Sequence, residues 1–310
     1  MPSDFKIRVA EPNIEEDDAK AVYNAVKEKC LSGSGPYNKQ FEKKFAEYIG
    51  TKYAIAVNSG TAALHLSLEV LGINGGDEVI TTPFTFAATG QMISLVGAKV
   101  VYADIDPVTF NIDPELIEKK ITDKTQAIMP VSLYGQCSDM DTINEIASRY
   151  DLSVIEDAAQ SLGASYKGRK LGTIGKVGTF SFDFGKTLHT GEGGMIITND
   201  KDCYNRAAEF SDHGHMHVSS LPRGLDPRRM KGLNLRMSEL TAAIGIAQLN
   251  KIDFILNESK KNKANIKGQL INIPNITFRE FSDEKGSQGD TLIFHFKNST
   301  AAISLSKYME

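Results

Sequence analysis

A chain of 310 residues has room for one large domain, or for one large domain with part of a second. Its 41% hydrophobic content supports a packed core, and a formal net charge of −4 argues against binding to nucleic acid or to an anionic membrane surface. The start, MPSDFKIRVAEPNIEEDDA, is too polar for a signal peptide, no apolar run is long enough for a bilayer, and Cys30, Cys137 and Cys203 fit neither a disulfide framework nor a metal set, so a reduced cytoplasmic protein is expected.

Along the chain, residues 15–30 begin acidic and end basic, with apolar spacing that predicts a helix. LSGSGPYNKQ reads as a loop, and FEKKFAEYIG as a second amphipathic helix with Gly50 as its stop. Strand-like runs then follow at YAIAV, DEVITT, AKVVYAD, QAIMPVSL, LSVIEDA, GTFSF and GGMIITN. Helical stretches such as TAALHLSLEVLG, DPELIEKKI and MDTINEIASRY separate many of them. This alternation predicts an α/β domain with a mainly parallel sheet, in which ligands bind where strands end and helices begin. After Arg236 the pattern predicts one long, bent helix through GQL, then a strand in DTLIFHFKN and the opening of a further helix in STAAISLSKYME. The expected division is a large unit over 1–250 and a small, shortened C-terminal unit over 251–310.

Three stretches carry chemistry. In NSGTAALHL, Ser59 can cap a helix, Gly60 allows close approach to the backbone, and Thr61 adds a hydroxyl to the anion site of the first turn. Read alone, this is a capped helix start. In SVIEDAAQSLGA, Asp157 follows an apolar strand, with Gln160 one turn onward on the same side if a helix starts there. In SFDFGKTLHTGEGGM, Lys186 has Phe180, Phe182 and Phe184 as neighbours, a setting that would desolvate the amine and make it nucleophilic. The glycine-rich turn after it would let the chain pass close to a bulky ligand. Read alone, Asp157 could cap local structure and Lys186 could be a surface lysine. Pyridoxal phosphate needs all three elements together: a Schiff-base lysine, an acid beside the pyridine nitrogen and a cradle for the phosphate. Phe84 and Phe86, in TTPFTFAATG, offer an aromatic face for the ring.

Two other readings are weaker. GEGG as a nucleotide phosphate loop fails on spacing, because neither a lysine-terminated P-loop nor a dinucleotide fingerprint is present. His213, His215 and His217 alternate in a loop with no fixed acidic partner, so a polar loop is favoured over a metal site. Arg223, Arg228 and Arg229 nearby are candidates to meet a phosphate or carboxylate of a substrate.

The motifs NSGTAALHL, GDEVITTPFTFAAT, VYADIDPVTFNIDPELIE, VSLYGQCSDMD, VIEDAAQSLGASYKGRKLGTIG and GLNLRMSEL, in this order, resemble the DegT/DnrJ/EryC1/StrS sugar aminotransferases. The resemblance runs from about FEKKFAEYIG to NLRMSELTAAIGIAQL. It implies a fold-type I enzyme: a three-layer α/β/α domain with a mainly parallel sheet and a small C-terminal α/β domain. It implies Lys186 as the Schiff-base lysine and proton carrier, Asp157 as partner of the pyridine nitrogen, Gln160 near the ring hydroxyl and Phe86 stacked on the ring. Gly60, Thr61 and Ser181 would hold the phosphate. Asn234 would reach the cofactor phosphate of a neighbouring subunit, which implies a homodimer with shared sites. Relatives that dehydrate the sugar use histidine at the lysine's place. His189 lies nearby, but the motif register puts lysine there and favours transamination. The family's usual donor is L-glutamate and its usual acceptor a nucleotide-linked keto sugar for surface glycans. The form SFDFGK resembles a subset that includes aminotransferases acting on a keto-octulosonate for lipopolysaccharide. A non-catalytic, regulatory cofactor-binding member is the alternative, and it need not retain Lys186.

Overall fold

The computed structural model describes residues 11–309, so the polar start at residues 1–10 lies outside the described residues. Two helices lead, α1 (Glu16–Lys27) and α2 (Pro36–Ile49). The alternating region follows as β1 (Tyr53–Val57), α3 (Gly60–Val70), β2 (Glu78–Thr81), α4 (Ala88–Leu95), β3 (Lys99–Tyr102), α5 (Pro114–Glu118), β4 (Thr125–Met129), α6 (Met140–Arg149) and β5 (Ser153–Asp157). A small hairpin, β6 (Ser165–Tyr166) and β7 (Arg169–Lys170), precedes β8 (Val177–Ser181), β9 (Gly194–Thr198) and α7 (Lys201–Ser211). Then come α8 (Glu239–Asn250), α9 (Ile252–Leu270), an antiparallel pair of β10 (Ile276–Phe278) and β11 (Phe294–Phe296), and α10 (Ser299–Met309).

The main sheet has the order β1-β9-β8-β5-β4-β2-β3. β9 runs antiparallel to both of its neighbours, and the pairings from β8 through β3 are parallel. Both faces are covered, which is why the inner strands read as continuous apolar runs. Alternate residues go to opposite sides. Ala54, Ala56, Phe180, Phe182, Met195 and Ile197 pack against α2, α8 and α9, whereas Ile55, Val57, Val177 and Ile196 pack against α3 and α7. Likewise Ile80, Ile128 and Val154 face α5 and α6, and Val79, Ala127, Met129 and Ile155 face α3 and α4. The result is the three-layer α/β/α arrangement with a mainly parallel sheet.

Two local expectations change. α2 begins at Pro36, inside the segment expected to be a loop. Proline suits the first helical position, but Gly35 provides no side-chain cap. The cap comes from Glu239, 204 residues away. Its carboxylate accepts from the backbone N–H groups of Gly35 at 3.0 Å, Tyr37 at 2.8 Å and Asn38 at 3.2 Å. A negative charge at a helix N-terminus satisfies orphan amides and complements the dipole. The long helix after Arg236 is divided at Lys251, whose φ of −112° and ψ of 7° leave the helical region.

Glu239 is 1% exposed, so its removal strands several amides together. We expect Glu239→Ala to lower the unfolding free energy by about 2–3 kcal/mol, measured by chemical denaturation. An unchanged midpoint would refute the capping role.

Candidate active site

The carboxyl ends of β5 and β8 lie side by side, with Asp157 opposite Thr179 in register. Asp157 therefore points to the same side of the sheet as Ser181, two residues beyond Thr179, on the face covered by α3 and α4. Asp157 is 3% exposed. Thr89 Oγ1 donates to its Oδ2 at 2.8 Å, and the Ala159 N–H donates to Oδ1 at 3.2 Å. It has no cation at ion-pair distance among the described residues. Burial pushes its carboxyl above the usual range, against the pull of those two hydrogen bonds and of the positive charge on Lys186.

The second wall is the start of α3. Ser59 Oγ accepts from the Ala62 N–H at 3.0 Å, as the sequence predicts. Gly60 has to be glycine, because a Cβ there would stand 2.6 Å from the Cβ of Ser181. Gly194 on β9 is pressed in the same way against the Ser59 carbonyl. At this position the glycine serves contact between protein segments, where the sequence suggests room for a ligand.

The third wall is the turn after β8. The Lys186 N–H donates to the Asp183 carbonyl at 2.9 Å, and the Thr190 N–H to the Phe182 carbonyl at 2.8 Å. Lys186 is half-buried. Its expected aromatic surroundings are elsewhere. Phe180 and Phe182 pack on Phe41 and Phe45 of α2, with ring centroids 5.2–5.5 Å apart, on the opposite face of the sheet. Phe184 is exposed. Strand alternation explains the difference, since Ser181 and Asp183 take the cavity side while the phenylalanines take the core side. His189 is buried on that turn with Nδ1 3.4 Å from the Lys186 carbonyl oxygen. Burial holds its imidazole below the ordinary range.

These walls enclose a cavity of about 300 Å³ lined by Gly60, Thr61, Phe86, Asp157, Gln160, Ser181 and Lys186. Gln160 arrives on a turn instead of a helix, with its Oε1 accepting from the Tyr134 N–H at 3.3 Å. Phe86 presents a 71% exposed ring, whereas Phe84 turns away to meet Phe110. Thr85, Thr89, Asp183 and Glu192 also line the cavity and escaped the sequence reading. The spacing of Thr85 and Thr89, whose hydroxyls lie 3.0 Å apart, was their one available signal. Asn234 is not at this cavity. It pairs through its backbone with Asp212, and its carbonyl accepts from Asn58 Nδ2 at 3.5 Å.

The loop over 212–236 also departs from expectation. Its histidines do have acidic neighbours: His215 Nδ1 lies 3.1 Å from Asp226, and His213 and His217 lie 3.4 and 3.7 Å from Asp212. Arg223 binds Asp212 through two nitrogens at 2.7 and 2.5 Å, Arg236 binds the same carboxylate, and Arg229 grips Glu209 at 3.1 and 2.6 Å. Burial alone would raise the Asp212 carboxyl, yet the two guanidiniums hold it well below the usual range. Arg223 and Arg229 are thus committed to carboxylates of their own chain. Arg228 Nη2 lies 3.2 Å from His215 Nε2. A larger cavity of about 630 Å³ lies between α2, β1 and α7, and none of the eight predicted cofactor residues lines it.

A buried acid without a cation, a lysine and a helix N-terminus around one cavity, at the carboxyl ends of such a sheet, define the fold-type I class of pyridoxal-phosphate proteins. The sequence matches the model of the DegT/DnrJ/EryC1/StrS aminotransferase family over residues 12–305, and the chain belongs to that family. It is 44% identical to GDP-perosamine synthase of Caulobacter vibrioides over 253 residues, 80% of this chain and 66% of that one. Among solved structures, an aminotransferase from Psychrobacter cryohalolentis superposes with a TM-score of 0.82 at 36% identity, covering 87% of this chain and 71% of that one. An E. coli GDP-4-keto-6-deoxy-D-mannose-3-dehydratase with bound hydrated PLP superposes with a TM-score of 0.88 at 28% identity, covering 96% and 81%. Among the described residues no helix is long and apolar enough to cross a membrane.

The raised Asp157 carboxyl has a consequence for stability. Below the ordinary value of 3.8, folded and unfolded chains both carry the proton and burial of the acid costs little. Above it the unfolded chain ionises first, and the penalty grows until the folded acid ionises too. Asp157→Asn should therefore raise the denaturation midpoint at pH 7 in the absence of added cofactor, with the gain fading towards pH 3. Destabilisation at both pH values would contradict this account.

Proposed function

We propose that this chain is a pyridoxal-phosphate-dependent aminotransferase that moves an amino group from L-glutamate to a keto sugar. The observation that carries the reading is the buried Asp157 carboxylate, unpaired by any cation among the described residues, sharing one cavity with Lys186 and the N-terminus of α3. The donor set fits the cofactor. A buried acid with spare acceptor capacity suits a protonated ring nitrogen, and a glycine-lined helix start suits a phosphate.

Within that reading, Lys186 would hold the cofactor through its amine and would carry a proton at Nζ between cofactor and substrate. Asp157 keeps a proton on the ring nitrogen, steadied by Thr89 and Ala159. The cofactor, when bound, supplies an electron sink that makes exchange of the amino group feasible. Gly60, Thr61 and Ser181 would hold the phosphate, Phe86 would stack on the ring, and Gln160 would lie near the ring hydroxyl. Asn234 serves a neighbouring subunit's site, which makes the working unit a homodimer. The unit over 1–250 carries the cofactor, in keeping with a cavity whose lining residues fall within it. A cytoplasmic setting agrees with reduced thiols and a sugar substrate.

Lysine at position 186 supports transamination over dehydration, since the resembling dehydratases use histidine there. A nucleotide-linked keto sugar is the first acceptor to test, in keeping with the similarity to perosamine synthase. A keto-octulosonate is the second, suggested by SFDFGK.

The test is an absorption spectrum before and after borohydride, followed by peptide mapping. We expect a yellow band that borohydride bleaches while fixing the cofactor on Lys186, that is lost on adding L-glutamate, and that is absent from Lys186→Ala. The same variant should lose at least about a thousandfold in turnover. A colourless protein after cofactor addition, or label on another lysine, would overturn the assignment.

A further inference from the structure

Gln288 lies in the segment between β10 and β11, far along the chain from the cavity, yet it bonds to residues directly behind two of the cavity's walls. Its Nε2 donates to Thr187 Oγ1 at 2.6 Å, one residue past Lys186. Its backbone N–H donates to the Gly135 carbonyl at 3.0 Å. The Gly135 N–H in turn donates to the Gln160 carbonyl at 2.8 Å. The adjacent Tyr134 N–H holds the Gln160 side chain. One residue therefore links the turn that carries Lys186 to the turn that carries Gln160.

The contact is tight and permits few alternatives. Gly135 is in the left-handed region at φ +77°, and a Cβ there would stand 2.7 Å from Gln288 Cβ. The flanking Gly286 carbonyl accepts from the Ser165 N–H at 2.8 Å, which seats the segment on β6. Gln288 is 2% exposed, and its Oε1 is buried with no partner among the described residues. An orphaned acceptor of this kind costs stability, so an apolar side chain would be the cheaper filling. What the amide alone provides is the bond to Thr187.

We propose that Gln288 is a positioning residue: it sets the separation between Lys186 and Gln160, so that the C-terminal segment completes the geometry of the cofactor cavity. The inference rests on reading Lys186 as the lysine that holds pyridoxal phosphate. A lysine side chain has several free torsions, and misplacement of its anchoring turn by a fraction of an ångström is enough to degrade a site. Thr187 Oγ1 also lies 3.2 Å from Asp290 Oδ2, so its hydroxyl can accept from Gln288 while donating to Asp290.

The test uses the full chain and pyridoxal phosphate itself. Titration gives its dissociation constant, and the pH midpoint of the yellow band gives a local readout that loss of overall stability does not move. Gln288→Ala and Thr187→Val should each weaken binding about tenfold and shift the midpoint in the same direction. Their combination should match Thr187→Val alone, because both remove one shared bond, and Thr187→Ser should restore wild-type values. Wild-type affinity and midpoint in folded Gln288→Ala, or losses that multiply in the double variant, would overturn the proposal. Should Gln288→Ala fail to fold, Thr187→Val and its serine rescue decide the matter. If the wild-type chain forms no band, the function proposed above fails with it. If it forms the band and the variants leave it unchanged, only the role of Gln288 falls.

Discussion

The structure turns on two adjacent carboxylates buried at the end of one central strand. Glu156 and Asp157 point to opposite faces of the sheet, and both are buried. Burying a carboxylate is expensive unless donors replace its hydration. Glu156 receives a complete set, accepting from the backbone N–H groups of Gly172, Ile174 and Gly175 at 2.5–2.8 Å. Its task is to hold the LGTIG loop against the sheet. Among the described residues Asp157 has Thr89 and the Ala159 amide as donors, and its remaining capacity faces a cavity. The two acids thus differ in satisfaction: one is saturated by backbone amides, the other keeps acceptor capacity towards the cavity.

Everything else around that acid is arranged by close approach of backbone to backbone. β9 enters the sheet antiparallel between β1 and β8 and brings Gly194 against Ser59. Gly60 then meets Ser181 with no space for a side chain. The start of α3 is thereby held beside the end of β8, and Lys186 follows directly from that strand. The segment around Gln288 bonds behind two of these stretches, to Gly135 and to Thr187. A site assembled from four separated stretches has little tolerance for added atoms at its seams, which is why its glycines cluster there.

Much of this was legible residue by residue. The Ser59 cap, the Gly50 stop, the strand runs and the order of Asp157, Ser181 and Lys186 all follow from short-range rules of capping and periodicity. The misreadings share one cause. The start of α2 is capped by a residue 204 positions away, the histidines and arginines of the 212–236 loop find acids on α7 and within their own loop, and Phe180 and Phe182 face the core. Periodicity shows that a strand has two faces and leaves open which of them meets the cavity.

By itself, then, the sequence determined the element types, the α/β alternation and the chemical inventory: an acid, a lysine, a capped helix start and an aromatic ring in a characteristic order. Those properties come from local hydrogen bonds and side-chain periods, which act over a few residues. The tertiary structure decided which residues share a cavity, which acid is left unsatisfied, and that Gln288 reaches Thr187 across 101 residues of chain. Burial and close contact depend on how distant segments pack together, and no short window of sequence contains both partners.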